Sequence, residues 1–190
     1  MGISLSKGAR INLSKEAPSL DNITIGLGWD TNASDTGASF DLDASVFLVN
    51  ASGKTNSDQD FIFYNNLHSA DGSVEHLGDN LTGEGDGDDE KVKVSLSKVG
   101  ANVEEIIFVV TIHDADARKQ NFGQISNSFI RIVDNSNNKE LLMYELDEDY
   151  SIETALEFGK LYRKNGSWRF QAVGTGFNAG LQGFVDKYTG

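Results

Sequence analysis

A chain of 190 residues suits one domain spanning 1–190, and a formal charge of −13 with 16 Lys and Arg in no basic stripe argues against nucleic acid as a partner. The same charge opposes docking on an anionic membrane, and the absence of cysteine removes disulfide scaffolds, zinc–thiolate sites and thiol nucleophiles together.

Taken in chain order, the opening MGISLSKGARINLSKEAP has no continuous apolar h-region, so no signal peptide is expected. No apolar run reaches the length of a membrane span, which points to a cytoplasmic protein without direct membrane insertion. From residue 22 the hydrophobic period is two. Ile23, Ile25 and Leu27 alternate with Asn22, Thr24, Gly26 and Gly28; Leu42, Ala44, Val46 and Leu48 alternate with Asp41, Asp43, Ser45 and Phe47. DFIFYNN (60–66) is the next strand candidate, followed by Val92, Val94 and Leu96 set between lysines and serines. EEIIFVVTIH (104–113), NSFIRIVD (127–134), KELLMYEL (139–146) and SWRFQAVG (167–174) are β-branched and aromatic enough for strands. In SIETALEFGKLYR (151–163), the Glu153, Ala155, Glu157 alternation favours a strand over the helix that its Ala, Leu and Glu content would also allow. Leu181, Phe184, Val185 and Tyr188 fall at helical spacing, so a short C-terminal helix is expected to cap the sheets. The fold predicted is all-β, a two-sheet antiparallel β-sandwich with that helix.

One stretch stands apart. GDNLTGEGDGDDE (78–90) packs six acidic residues and four glycines into thirteen positions with no base. Acidic runs are commonly solvated faces. This run lies between two strand candidates, which pins its ends, and its glycines reach φ > 0 freely, so the chain can curl its oxygens inward. Two unit charges about 5 Å apart repel by roughly 3 kcal/mol at an effective dielectric near 20. A domain stable by only about 5–15 kcal/mol gains from a cation there. The donors are hard oxygens in a flexible arrangement, which favours Ca2+ over Mg2+ and zinc. The loop is not an EF-hand: with Asp79 at position one, Leu81 and Gly83 fill ligand positions and Glu84 replaces the turn glycine.

Asp41 and Asp43, two residues apart on a strand, share one face and offer a second half of such a site; the alternative is that they are exposed sheet residues. The candidate metal ligands are Asp41, Asp43, Asp79, Asn80, Thr82, Glu84, Asp86, Asp88, Asp89 and Glu90. This is more oxygen than one ion uses, so two neighbouring Ca2+ ions are expected. Asp30, Asp71 and Asp114 are weaker candidates for the same site. His68, His76 and His113 are the only histidines, and no nucleophile elbow, P-loop or zinc-protease motif is present, so no catalytic residue is assigned and the protein is read as no enzyme. The competing reading is a metal-dependent hydrolase or nucleotide-ligand-binding protein using the same carboxylates.

GLGWD (26–30), FDLDASVF (40–47), FIFYNN (61–66), SADGSVEHLGDNLTGEGDGDDE (69–90), RKQNFG (118–123), ETALEFGKLYR (153–163) and WRFQAVGTGF (168–177) resemble the TerD family of tellurium-resistance and stress proteins, in order along the whole chain. The resemblance implies a β-sandwich that binds Ca2+ through the acidic loop and the Asp41–Asp43 strand. It also implies cytoplasmic residence and a role in resistance to tellurite and other stresses. The family is tied to an integral membrane partner, TerC, and a eukaryotic relative is described as binding cyclic AMP.

Overall fold

The computed structural model describes residues 3–31, 42–63, 66–77, 90–112, 122, 125–146, 153–177 and 181–189. Its strands are β1 (Ile3–Leu5), β2 (Arg10–Asn12), β3 (Asn22–Thr31), β4 (Leu42–Val49), β5 (Phe61–Ile62), β6 (Val74–His76), β7 (Glu90–Ser95), β8 (Glu105–Ile112), β9 (Ile125–Asp134), β10 (Lys139–Glu145), β11 (Ala155–Lys164) and β12 (Ser167–Phe177). A single-turn helix, α1 (Leu13–Glu16), follows β2, and a longer one, α2 (Leu181–Thr189), follows β12. The first sheet has the order β1-β10-β9-β3-β7-β6 and the second β2-β12-β11-β8-β4-β5. Among the described residues, only β1 with β10 pairs in parallel; the other pairs are antiparallel. This is the all-β sandwich that the period-two alternation predicts.

The core lies where the two inner faces meet. Ile23, Ile25, Leu27, Val92, Val94, Ile130 and Ile132 from the first sheet join Ala44, Val46, Leu48, Ile106, Phe108, Val110 and Leu156 from the second in one buried cluster. A second cluster forms on the outer face of the second sheet, where Phe184 and Tyr188 of α2 pack on Phe47, Val49, Ile107, Val109 and Ala155. Strand β8 is therefore buried on both faces, which explains why EIIFVVTI is a continuous apolar run rather than an alternating one. Each buried aromatic of α2 contributes roughly 2–3 kcal/mol by area. The Tyr188 hydroxyl donates to the carboxylate of Glu157 inside this layer, and burial first, then Glu157, pushes the tyrosine pKa up. The N–H of Thr55 donates to the Tyr188 carbonyl at 2.7 Å, fixing the end of the helix.

Two expectations change in detail. The 60–66 segment is a strand only at Phe61–Ile62: an isolated bridge joins Phe63 to Asn66, and the Asn66 amide donates to the Phe61 carbonyl at 2.7 Å, so the chain turns back. The strand expected to run to Ser97 ends at Ser95 in a 3-10 turn, Leu96–Lys98. The short C-terminal helix expected to cap the sheets is present, and it packs on the outer face of the second sheet alone. The 155–164 segment is a strand, as its alternation favours. Among the described residues, no helix is long and apolar enough to cross a membrane.

Candidate metal centre

Of the predicted ligands, Asp43 and Glu90 fall within the described residues; Asp41, Asp79, Asn80, Thr82, Glu84, Asp86, Asp88 and Asp89 lie outside them. Among the described residues, no group of three or more His, Asp and Glu side chains is placed to hold a metal ion. What the structure does show is where Glu90 meets the strand that carries Asp43.

Glu90 opens β7, where burial alternates with the pleat. It shares the inward face with Val92 and Val94, and only 2% of it is exposed. A carboxylate that deep needs hydrogen-bond donors. The backbone supplies one from the opposite sheet. Strand β4 pairs with β5 only at Val46 and Phe47, so its edge lies open at Ala44, and the Ala44 N–H donates to Glu90 Oε2 at 2.6 Å. His76 stands on the other side. It ends β6, pairs with Val92 in the ladder, is 4% exposed, and places Nε2 3.5 Å from the same oxygen. Glu90 thus spans the sandwich, held by an amide of the second sheet and an imidazole of the first.

Asp43 immediately precedes Ala44. It is half-buried and stands on the outer face of the second sheet with Ser45 and Phe47, in register with Thr111 of β8. The last residue of the acidic loop and the Asp-Leu-Asp strand are therefore joined by a direct hydrogen bond one residue from Asp43. The fit to a hard cation rests on donor chemistry: two carboxylates, one of them buried and oriented, with no cysteine in the chain. His76 and the Ala44 amide are contributors that sequence reasoning missed as partners of Glu90. His76 carried a signal, two residues before the loop at the end of an alternating Val74–His76. A backbone amide carries none.

The other candidates separate. Asp71 accepts from Ser69 Oγ at 2.6 Å, Ser73 N at 2.9 Å, Ser73 Oγ at 2.5 Å and Gly100 N at 2.9 Å, so its oxygens hold a turn together. Burial pushes its pKa up, but the bonds from Ser69, Ser73 and Gly100 outweigh that and hold it below the usual carboxylate value. His68 is exposed and bridges to Glu75. The side chain of Asp30, and the whole of His113, Asp114, Asp116 and Arg118, lie outside the described residues.

The TerD domain model matches residues 1–188. Over 188 residues the chain is 57% identical to general stress protein 16U of Bacillus subtilis (strain 168), covering 99% of this chain and 97% of that one. It is 58% identical to the tellurium resistance protein TerD of Alcaligenes sp, with the same coverage. A solved homologue of the telluride resistance protein TerD from Streptomyces coelicolor A3(2) superposes with a TM-score of 0.69 at 21% identity, covering 88% of this chain and 96% of that one, which supports the fold.

Proposed function

Because the chain belongs to the TerD family of tellurium-resistance and stress-response proteins, we propose that it is a non-enzymatic calcium-binding protein whose folded stability or partner docking depends on the ion. The observation that carries this reading is the Glu90 carboxylate on the Ala44 N–H, which ties the residue at the end of the acidic segment to the backbone of the residue after Asp43. Asp43 and Glu90, with Asp41, Asp79, Asn80, Thr82, Glu84, Asp86, Asp88 and Asp89, are the residues that would hold two Ca2+ ions. The ions would neutralise carboxylates that otherwise repel. Glu90 links the two sheets, so a cation held there would stiffen their contact. We further propose cytoplasmic residence, and docking of the ion-bound face on an integral membrane partner such as TerC.

Thermal melting of chelator-treated protein, with and without added Ca2+ or Mg2+, tests the reading. Calcium at about a hundredfold above its dissociation constant stabilises a single-site protein by about 2.7 kcal/mol. The expected result is a rise of several degrees with Ca2+ and a smaller one with Mg2+. Identical melts in all three conditions would remove calcium from the account.

A further inference from the structure

We propose that the outer face of the first sheet carries a second binding site, independent of the metal centre, for a small molecule bearing a phosphate group, held by Lys91, Lys93 and Arg131. The chain is strongly acidic, yet these three cations stand together. Gly26 of β3 is in register with Lys91 on one side and Arg131 on the other, so the row reads Lys91, Gly26, Arg131. Thr24, in the next outward row, is in register with Lys93 and Val133. Gly26 contributes no side chain, and the two cations of its row flank a gap. Strand spacing puts Lys91 and Arg131 about 10 Å apart at the backbone, and Lys91 and Lys93 about 7 Å apart. Side chains of this length converge easily across such a triangle.

An open groove of about 790 Å3 lies over this patch, within the range of about 300–1,000 Å3 typical of small-molecule sites. Its donors and acceptors are unequal. The Asn22 side-chain oxygen accepts from Ser95 Oγ at 2.8 Å and that of Asn135 accepts from Thr24 Oγ1 at 2.8 Å, which turns the amide NH2 group of each into the remaining donor. Each of the groove's two lining carboxylates is bound by a serine, Asp134 within its own turn and Asp21 from the 3-10 turn after β7. Asp134 Oδ1 accepts from the N–H and hydroxyl of Ser136, and Asp21 accepts from the N–H and hydroxyl of Ser97. Arg131 meets Glu140 at 3.5 Å in a half-buried contact, and neither Lys91 nor Lys93 makes an ion pair among the described residues. The groove therefore presents an excess of donors to an acceptor-only ligand. A phosphate monoester offers three terminal oxygens to cations converging from three points; a planar carboxylate offers two. The lysines point outward while Glu90 points inward, so β7 separates this groove from the metal centre.

The test is an amide NMR titration of the full chain with glycerol phosphate, without added divalent cations. Ionic strength is fixed near 0.15 M, where a screening length of about 8 Å mutes the overall negative charge. Acetate serves as the carboxylate arm. Saturable shifts confined to β3, β7 and β9 around Gly26 are expected, with acetate weaker. The double variant Lys91→Gln, Lys93→Gln should weaken binding by roughly tenfold or more, as should Arg131→Gln, while Lys164→Gln at the end of β11 changes nothing. The lysine variants alter only exposed side chains, so they carry the test whatever Arg131→Gln does to folding. Shifts that fail to saturate, acetate binding equal to glycerol phosphate, an unchanged lysine double variant, or equal loss in Lys164→Gln would each overturn the proposal.

Discussion

Asp71 and Glu90 flank the same strand, Glu90 tied directly to β4 of the second sheet and Asp71 to the connection that leads from β7 to β8. Glu90 is the first residue of β7; Asp71 sits in the turn whose Ser73 carbonyl accepts the N–H of Ser95, the last residue of β7. Asp71 reaches across to the N–H of Gly100, and Arg163 of β11 donates to the carbonyls of Val99 and Gly100 at 2.8 and 3.0 Å. Its other donors are short hydroxyls and an amide of its own turn. Glu90 is deeper, reaches across to Ala44, is backed by His76, and ends a loop of further carboxylates. Two carboxylates in equivalent structural posts thus differ in what surrounds them. One is closed by hydroxyls and amides in a polar turn; the other is held between a backbone amide of the opposite sheet and an imidazole. The first pattern is that of a lock; the second is the one that the proposed calcium site would draw on.

The sharpest way to break this comparison is Glu90→Gln. Glutamine keeps an oxygen for the Ala44 N–H, so metal-free stability should change little. The charge is what calcium needs. The variant should lose most of the calcium-dependent stabilisation, about 2.7 kcal/mol at a hundredfold excess of ion, read as the gap between urea midpoints with calcium and with chelator. A wild-type gap in Glu90→Gln would place this carboxylate with Asp71 as a purely structural tie.

Asp71→Asn should behave in the opposite way. It weakens several bonds to one half-buried acceptor and should cost about 1–3 kcal/mol, equally with and without calcium. It also has a pH signature. The folded pKa of Asp71 lies below its unfolded value, so its contribution is present above roughly pH 4 and is lost as pH falls through the folded pKa. Wild-type stability should therefore drop more steeply than that of Asp71→Asn as pH falls below about 4, measured by urea unfolding at each pH. Parallel curves would show that the carboxylate's charge adds nothing to its hydrogen bonds.

The long strands and the C-terminal helix were legible because their periods persist over eight or more residues, as in β3, β11 and α2. β1, β2 and β6 have three residues each, too few to show an alternation, and they exist because a neighbouring strand offers an edge. The strand at 60–66 failed because aromatic content was mistaken for length; Asn66 turns the chain back. At the metal centre, sequence joined the acidic loop to the Asp41–Asp43 strand, and the bond from Ala44 to Glu90 brings the end of that loop to the same strand. It could not show that the tie is a backbone amide left open by a short β5. The cations of the outer groove were invisible for a related reason. Lys91 and Arg131 are forty positions apart, and only strand register sets them on either side of Gly26.

Asp43→Asn makes the finest cut, because it asks whether the strand is a ligand or only a neighbour of one. The side chain is half-buried on the outer face of β4, and asparagine preserves its size, so metal-free stability should move by less than about 1 kcal/mol. If Asp43 holds an ion, titration calorimetry should show affinity reduced by roughly tenfold, as for loss of one charge-assisted contact, or one fewer ion bound. If both stoichiometry and affinity persist while Glu90→Gln abolishes binding, the site is built from the loop alone. The bond from Ala44 to Glu90 would then serve only to orient the loop's last ligand. That outcome would sharpen the contrast with Asp71, since Glu90 would remain the one tie between the sheets that calcium controls.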